Sequence, residues 1–147
     1  MSSATLTSPP IETARLVVDT DLASFIFKWH PEFASRYLGI VRGFELTVSF
    51  MTVAEMRQGA LDTNWGPRKC AVLEAYLADF SVLHSDNLLC STWAAVRNES
   101  TQKGHPISSA DAWIAATAKV LSAPLVTNNA KDYRHLDKLQ IISAAAE

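Results

Sequence analysis

The sequence has few residues of the kinds that mark special classes of protein. Its 147 residues include only 2 Cys, 5 Gly and 6 Pro, which excludes disulfide-rich, collagen-like and low-complexity classes. No apolar run is long enough to span a bilayer, and the first ten residues lack the apolar stretch of a signal peptide. We therefore expect a cytoplasmic protein that does not enter membranes, with Cys70 and Cys90 as free thiols.

The charge balance also lacks an excess of one sign. The 13 Lys and Arg against 15 Asp and Glu give a formal net charge of -2, which excludes a broadly cationic nucleic-acid coat protein. The net charge does not exclude an enzyme that binds nucleic acid through a local basic face. With 48% hydrophobic residues, the chain has the length and apolar content for one compact domain with a sizeable core.

Strand and helix patterns alternate along most of the chain. Residues 1–14 predict a flexible lead rich in Ser, Thr and Pro, and residues 15–147 predict a single domain. The predicted strands are residues 15–19, 44–50, 80–84, 123–127 and, at an edge, 139–143. The predicted helices are residues 22–29, 32–42, 53–61, 68–79, 87–101 and 110–121. This alternation predicts a three-layer α/β/α domain around a mostly parallel central sheet.

Acidic and amide side chains follow the strands of this predicted sheet. Asp19 follows the first strand, Asn129 follows the fourth, and Glu55 and Asp111 lie in the first turns of helices. Ligand sites in open parallel sheets form beyond the carboxyl ends of the strands. Several carboxylates at one edge repel one another unless a cation is present, and oxygen-only ligands favour Mg²⁺ or Mn²⁺. The pattern therefore predicts a metal site suited to phosphodiester hydrolysis.

Each of these acids also has a purely structural explanation. Residues 52–55 (TVAE) have the pattern of a capping box, and residues 108–111 (SSAD) nearly match it. Asp19 or Asp21 could cap the first helix. Each acid taken alone is better explained as a helix cap, whereas the set taken together is better explained as a metal site.

Four segments, in order, resemble the PIN-domain ribonucleases, and in particular the VapC-type toxins of toxin–antitoxin pairs. They are residues 16–21 (LVVDTD), 49–56 (SFMTVAEM) with Gly59, 109–118 (SADAWIAATA) and 125–133 (LVTNNAKDY). The third segment is the most specific, because an Asp followed by Ile-Ala-Ala is typical of the central helix of that family. The resemblance covers nearly everything after the lead and implies a PIN-like fold.

The resemblance implies a role for each of the polar residues at the sheet edge. It implies metal binding by Asp19, Glu55 and Asp111, with Mg²⁺ or Mn²⁺ as the cofactor. Asn129 matches the fourth catalytic position, where the family has Asp or Asn. An amide there adds no negative charge, which weakens the case for a second metal site. The implied reaction is hydrolysis of RNA by a metal-bound water, without a covalent enzyme intermediate.

Residues around the acids receive supporting roles. Thr20 and Thr127 match positions whose hydroxyls support the acids through hydrogen bonds. We interpret Asp21 as a helix cap rather than as a further acceptor at the site. Arg57, which follows Glu55 on the same helix, and Arg97, on the helix before Asp111, are candidates for contacting the RNA backbone.

The resemblance also implies partners. It implies an RNA substrate, a homodimer and a small antitoxin whose C-terminal segment blocks the acidic site. Trp29 and Trp65 lie next to Pro and Gly residues, so we expect them to be partly exposed and to suit a partner groove. We expect Trp93 and Trp113, within apolar helices, to belong to the core.

Two other functions fit parts of the sequence. A haloacid-dehalogenase-type phosphatase would explain residues 19–21 (DTD) as a nucleophile and an acid/base, but Ala23 replaces the expected hydroxyl and the later acidic pair is missing. A PIN-like module that binds RNA or a protein without cutting would explain Asn129 and the modest positive charge. Trapping of an aspartyl-phosphate analogue and a cleavage assay would separate these functions from a nuclease.

Overall fold

Five parallel strands form the centre of the molecule, as seen in a computed structural model that describes residues 14–28 and 31–144. The strands are β1 (Arg15–Val18), β2 (Glu45–Ser49), β3 (Ser81–Leu83), β4 (Leu125–Thr127) and β5 (Ile141–Ser143). Their order in the sheet is β3-β2-β1-β4-β5, and each of the pairings is parallel. The predicted parallel sheet, with its edge strand near the C-terminus, is confirmed. The predicted lead lies outside the described residues except for Ala14, and so does Trp29.

In the described part of the chain, six helices connect the strands. They are α1 (Thr20–Phe27), α2 (Pro31–Val41), α3 (Phe50–Asp62), α4 (Pro67–Ala78), α5 (Asn87–Gln102) and α6 (Ser109–Leu121), and a 3-10 turn follows β4 at Ala130–Asp132. All six were predicted, and their boundaries differ most at the start of α3. Within residues 14–28 and 31–144, no helix is long and apolar enough to cross a membrane.

The start of α3 corrects one prediction. The helix begins at Phe50 because Ser49, at the end of β2, is its N-cap and accepts a hydrogen bond from the backbone N–H of Met51 at 3.1 Å. The strand therefore runs directly into the helix. Thr52 and Glu55 lie inside α3 and do not form a capping box, so the prediction that Glu55 lies in the first turn was wrong.

The sheet is buried on both faces, as the apolar run of β1 predicted. Leu16 and Val18 belong to a core cluster shared with residues of α1 to α4, whereas Val17 belongs to a second cluster shared with residues of α5 and α6. All three are fully buried, and each stabilises the fold by roughly 1.5–3 kcal/mol through the area removed from water. The predicted three-layer α/β/α architecture is confirmed.

The strand order also determines where a ligand site is expected. Chain connections move from β1 outward to β2 and β3 on one side, and from β4 to β5 on the other. The neighbours β1 and β4 therefore flank the point at which the order of the sheet reverses. Binding sites in open parallel sheets form at the carboxyl ends of such strands. Asp19 and Asn129 follow these two ends.

Candidate active site

Asp19 is the buried centre of the acidic edge. It follows β1, is 3% exposed, and accepts hydrogen bonds from the backbone N–H of Leu22 at 2.9 Å and from the Thr127 hydroxyl. Burial raises its pKa from 3.8 to about 6; the two hydrogen bonds act in the opposite direction, and the charges of Asp21 and Asp111 add to the rise. Asp19 is therefore both the N-cap of α1 and a carboxylate that costs free energy to ionise.

Glu55 reaches the same edge from the second turn of α3. It is partly buried, and its Oε1 accepts a hydrogen bond from the Thr20 hydroxyl at 2.8 Å. Because Thr20 has one hydroxyl proton, the 2.9 Å contact between Thr20 and Thr52 is donated by Thr52. Burial raises the pKa of Glu55, and the charges of Asp111 and Asp21 raise it further. The predicted supporting position of Thr20 agrees with this geometry.

Asp111 lies in the first turn of α6, as predicted. Ser108 is the N-cap of α6, and its hydroxyl oxygen accepts a hydrogen bond from the backbone N–H of Asp111 at 3.1 Å. Burial raises the pKa of Asp111; hydrogen bonds from Tyr133 and Ser108 lower it, and the charges of Asp132 and Asp21 raise it. Its carboxylate is thus positioned by the helix start and influenced by acids from other elements.

Tyr133 is a member of the site that sequence reasoning did not identify. Its side chain is 1% exposed, and its hydroxyl donates a hydrogen bond to Oδ1 of Asp111 at 3.2 Å. Burial, together with the charges of Asp19 and Asp111, raises the pKa of Tyr133, so the hydroxyl stays protonated and remains a donor. No local pattern marked this residue, because Tyr133 stands in the polar segment 131–135 (KDYRH). Its burial is what requires a partner, since a buried Tyr hydroxyl normally has one.

Asn129 and Thr127 connect the end of β4 to the acids. The backbone N–H of Asn129 donates to the Thr127 hydroxyl oxygen at 2.9 Å, and that hydroxyl in turn donates to Asp19. The side-chain amide of Asn129 donates to Oδ2 of Asp21 at 3.0 Å. The interpretation of Asp21 as a helix cap was wrong, because Asp19 occupies that position. Asp21 is instead an exposed acid that faces Asn129.

The two predicted RNA-contacting arginines are both engaged by other groups. The Arg57 guanidinium donates to the Glu74 carboxylate on α4 at 2.7 Å and 3.1 Å. Arg97 donates to the carbonyl oxygen of Ile107 at 2.7 Å, and its guanidinium lies 5.5 Å from the centre of the Trp93 ring. Their contact with RNA stays a prediction.

The two tryptophans that were predicted to belong to the core stack on one another. The rings of Trp93 and Trp113 are 5.0 Å apart and nearly parallel, and Phe50 meets Trp113 edge-on at 5.2 Å. Both tryptophans are partly buried rather than fully enclosed.

A groove begins beside the acids and continues between α1, α3 and α4. It has a volume of about 290 Å³, starts at Thr20 and Glu55, and has Lys28 and Lys69 on its wall. Its apolar lining includes Phe27, Met56, Trp65 and Leu73. Trp65 is partly exposed, as predicted, and the ammonium of Lys69 lies 4.0 Å from the centre of its ring.

The acids offer the right atoms for a hard divalent cation but not a closed cage. Over residues 14–28 and 31–144, no three His, Cys, Asp or Glu side chains converge closely enough to form a ready-made metal cluster. The charge of Asp111 nevertheless raises the pKa of both Asp19 and Glu55, so the three carboxylates share one electrostatic environment. Oxygen-only donors of this kind suit Mg²⁺ and Mn²⁺, which keep several waters of their own.

Comparison with known proteins identifies the family. The family model of the PIN domain matches residues 16–139. The chain belongs to the PIN-domain family. It is 28% identical over 125 residues to ribonuclease VapC1 of Haemophilus influenzae strain R2866, an alignment that covers 84% of this chain and 93% of that protein. The predicted family and fold are confirmed, and the phosphatase alternative is set aside.

Solved structures of PIN-domain relatives agree with this assignment. VapBC-1 from nontypeable Haemophilus influenzae superposes with a TM-score of 0.76 at 27% identity, covering 88% of this chain and 98% of that one. VapBC-5 from Mycobacterium tuberculosis, a member of the VapBC family of toxin–antitoxin systems, superposes with a TM-score of 0.68 at 26% identity. This superposition also covers 88% of this chain and 98% of that one.

Proposed function

We propose that this PIN-domain protein is a divalent-metal-dependent endoribonuclease and the toxin of a toxin–antitoxin pair. One observation carries the proposal: Asp19, Glu55 and Asp111, from three different elements, lie along the carboxyl edge of the sheet, and burial raises the pKa of each. Ionisation of these acids lowers the stability of the fold, so their arrangement favours a functional role over a structural one. The name of the related ribonuclease and the toxin–antitoxin relative support the same function.

Asp19, Glu55 and Asp111 would hold the cation, with Mg²⁺ or Mn²⁺ as the proposed ion and Asn129 as the fourth catalytic position. When bound, the cation supplies Lewis-acid chemistry, because it lowers the pKa of a water and offsets charge on the phosphate. The donor set fits, since every predicted ligand offers oxygen and the mutual repulsion of the carboxylates falls when a cation enters. Cytoplasmic RNA is the proposed substrate.

The other site residues keep these carboxylates in position. The hydroxyls of Thr127, Thr20 and Tyr133 each donate to one of the three acids. These bonds restrict the rotation of each carboxylate and favour its ionised form. The amide of Asn129 orients Asp21, which adds negative charge at the exposed side of the site.

A cleavage assay tests this function directly. Purified protein should cut a structured RNA at internal positions with Mg²⁺ or Mn²⁺ and lose that activity with a chelator. Asp111→Asn should reduce cleavage by at least about 100-fold, because it removes charge from a proposed ligand without changing the shape of the side chain. Asp62→Asn is the matched control, since Asp62 is exposed on the last turn of α3. Equal cleavage by wild type and Asp111→Asn would contradict the proposal.

The groove is the proposed docking site for the antitoxin. Its apolar lining and its two lysines fit a peptide that carries apolar and acidic side chains, and its start at Glu55 brings such a peptide to the acids. Co-purification with the product of an adjacent small gene tests this. We expect Lys69→Glu to weaken that complex, whereas Lys138→Glu, at the other end of the sheet, should leave it intact.

The proposed homodimer is tested by light scattering of the purified protein, which should give twice the 16.1 kDa mass of one chain. A monomer at micromolar concentration would contradict it.

A non-cleaving PIN-like module that binds RNA or protein is the second candidate. Two observations favour it: Asn129 stands where an acid would add charge, and the described residues form no ready-made metal cluster. RNA binding without metal-dependent cleavage would establish this candidate instead.

A further inference from the structure

A small polar pocket lies next to Asp111 and shares no lining residue with the groove. Two loops form it, the one between α5 and α6 and the one that follows β4. We call it the imidazole pocket; its volume is about 120 Å³, and its lining comprises His105, Pro106, Ile107, Ser108, Asp111, Lys131, Asp132 and His135. The volume is large enough to admit a phosphate group.

Two histidines from different loops form one wall of the imidazole pocket. The rings of His105 and His135 are 5.1 Å apart and differ by 13° in orientation, so they stack. Nε2 of His135 lies 2.6 Å from the hydroxyl oxygen of Ser100, a fully buried residue of α5. The backbone N–H of His105 donates to the carbonyl oxygen of Ser100 at 2.9 Å. Ser100 thus contacts the ring of His135 and the backbone of His105.

The two rings have different chemical surroundings. Nδ1 of His135 is buried and has no hydrogen-bond partner among the residues that the structure describes. Burial lowers the pKa of His135, and the charges of His105 and Lys103 lower it further, against the effect of Glu99. The neutral form of the His135 ring is therefore favoured, and the exposed ring of His105 stacks against it.

The charged groups around the pocket favour an anion on one side and oppose it on the other. Lys131, an exposed cation, and a ring N–H of His105 can donate to phosphate oxygens. Asp132 and Asp111 bring negative charge, which the contacts of Lys131 and His105 must outweigh when no cation is bound at Asp111. The pocket shares Asp111 with the acidic site, so a phosphate inside it would be a neighbour of the phosphate at the acids.

We propose that the imidazole pocket binds a phosphodiester group of the RNA, next to the bond that the acidic site hydrolyses. The inference rests on the proposed nuclease function and adds a binding subsite to it. Lys131 and His105 contact the phosphate, and His135 is a positioning residue that acts through the stacked ring of His105. Such contacts fix the register of the RNA without reading its bases.

Binding of a fluorescent single-stranded oligoribonucleotide in EDTA tests the proposal without cleavage. Lys131→Gln should weaken binding about three- to tenfold, and the slope of log Kd against log salt should fall by about 0.7 for one lost phosphate contact. Lys138→Gln is the matched control, because Lys138 lies with Pro124 at the opposite end of β4. Equal affinity and equal slope for these two variants would overturn the proposal.

Asp132→Asn gives a result that misfolding cannot imitate. Removing a negative charge from the wall of an anion subsite should strengthen RNA binding, whereas a damaged protein would bind more weakly. Unchanged or weaker binding by a folded Asp132→Asn protein would contradict the phosphate subsite. Inorganic phosphate at millimolar concentration should compete with the oligonucleotide in wild type and less in Lys131→Gln.

The role of His135 is tested by comparing two substitutions. His135→Phe keeps a ring for His105 to stack on, so it should keep most of the RNA affinity, whereas His135→Ala should behave like His105→Gln. Both His135 variants should leave the cleavage rate at saturating RNA nearly unchanged. His135→Phe should raise KM slightly, and His135→Ala should raise it more. A fall in this saturating rate with unchanged KM would overturn the assignment. A wild-type protein that binds but never cleaves RNA would contradict the nuclease function alone.

Discussion

Two groups of acids in this molecule have opposite electrostatic surroundings. At the carboxyl edge of the sheet, Asp19, Glu55 and Asp111 have raised pKa values and receive hydrogen bonds from hydroxyls. In the second group, which we call the paired cluster, Lys103 contacts Glu99 at 2.7 Å and Asp137 at 3.0 Å. Among the described residues, the acids of the first group have no ion-pair partner, whereas both acids of the second group pair with Lys103.

The pKa of Glu99 shows what a cation changes. Burial alone would raise it, but hydrogen bonds from Lys103 and from the backbone N–H of Asp137 lower it below its usual value. Lys119 also lies 3.7 Å from Glu99. The paired cluster thus links α5 and α6 to the loop before β5. The unpaired charges of the acidic edge instead lower the stability of the fold and favour the binding of a cation.

The largest expected effect comes from removing a charge from the acidic edge. Asp19→Asn keeps an acceptor for the Leu22 N–H but removes a proposed metal ligand, so RNA cleavage should fall by at least about 100-fold. At pH 7.5 the metal-free variant should melt at a higher temperature than wild type, because a buried charge is gone. Asp137→Asn in the paired cluster is the control, and it should retain cleavage while its Tm falls. A Tm of Asp19→Asn below that of wild type would contradict the contrast between the acidic edge and the paired cluster.

The pH dependence of stability follows from the same residue. Asp19 has a pKa of about 6 in the folded protein against 3.8 as its ordinary value, so between these pH values the native state binds more protons than the unfolded state. Rising pH therefore lowers the free energy of unfolding of the metal-free protein, by up to about 3 kcal/mol. Urea denaturation from pH 4 to 7 should show this decline in wild type and a smaller one in Asp19→Asn. Parallel curves would mean that Asp19 titrates normally.

Much of this comparison was predictable from the sequence. Parallel strands end at one edge of the sheet, so the acids that follow β1 and begin α6 were expected along that edge. The start of α3 was not predictable, because Ser49 and Thr52 can both cap a helix and the end of β2 decides between them. The Tyr133–Asp111 bond joins residues 22 positions apart, and no local pattern predicts such a contact.

A tenfold effect is expected from removing one supporting hydroxyl. Tyr133→Phe deletes the donor to Asp111 and keeps the buried ring, so the concentration of Mn²⁺ needed for half-maximal cleavage should rise about tenfold. Tyr76→Phe is the control, since the Tyr76 hydroxyl donates to the carbonyl oxygen of Ala23 at 2.9 Å. That variant should change Tm alone. Equal Mn²⁺ dependence of the two variants would show that Tyr133 only fills space.

The smallest effect is expected in the paired cluster. Lys103→Met keeps the aliphatic stem but removes the ammonium that contacts Glu99, Asp137 and the carbonyl oxygen of His135 at 2.6 Å. Because the ammonium is exposed and screened by solvent, Tm should fall by no more than a few degrees, and less at high salt. Cleavage at saturating metal should stay close to wild type. If Lys103→Met instead reduced cleavage as strongly as Asp19→Asn, the paired cluster would be part of the active site and the contrast between the two groups of acids would be lost.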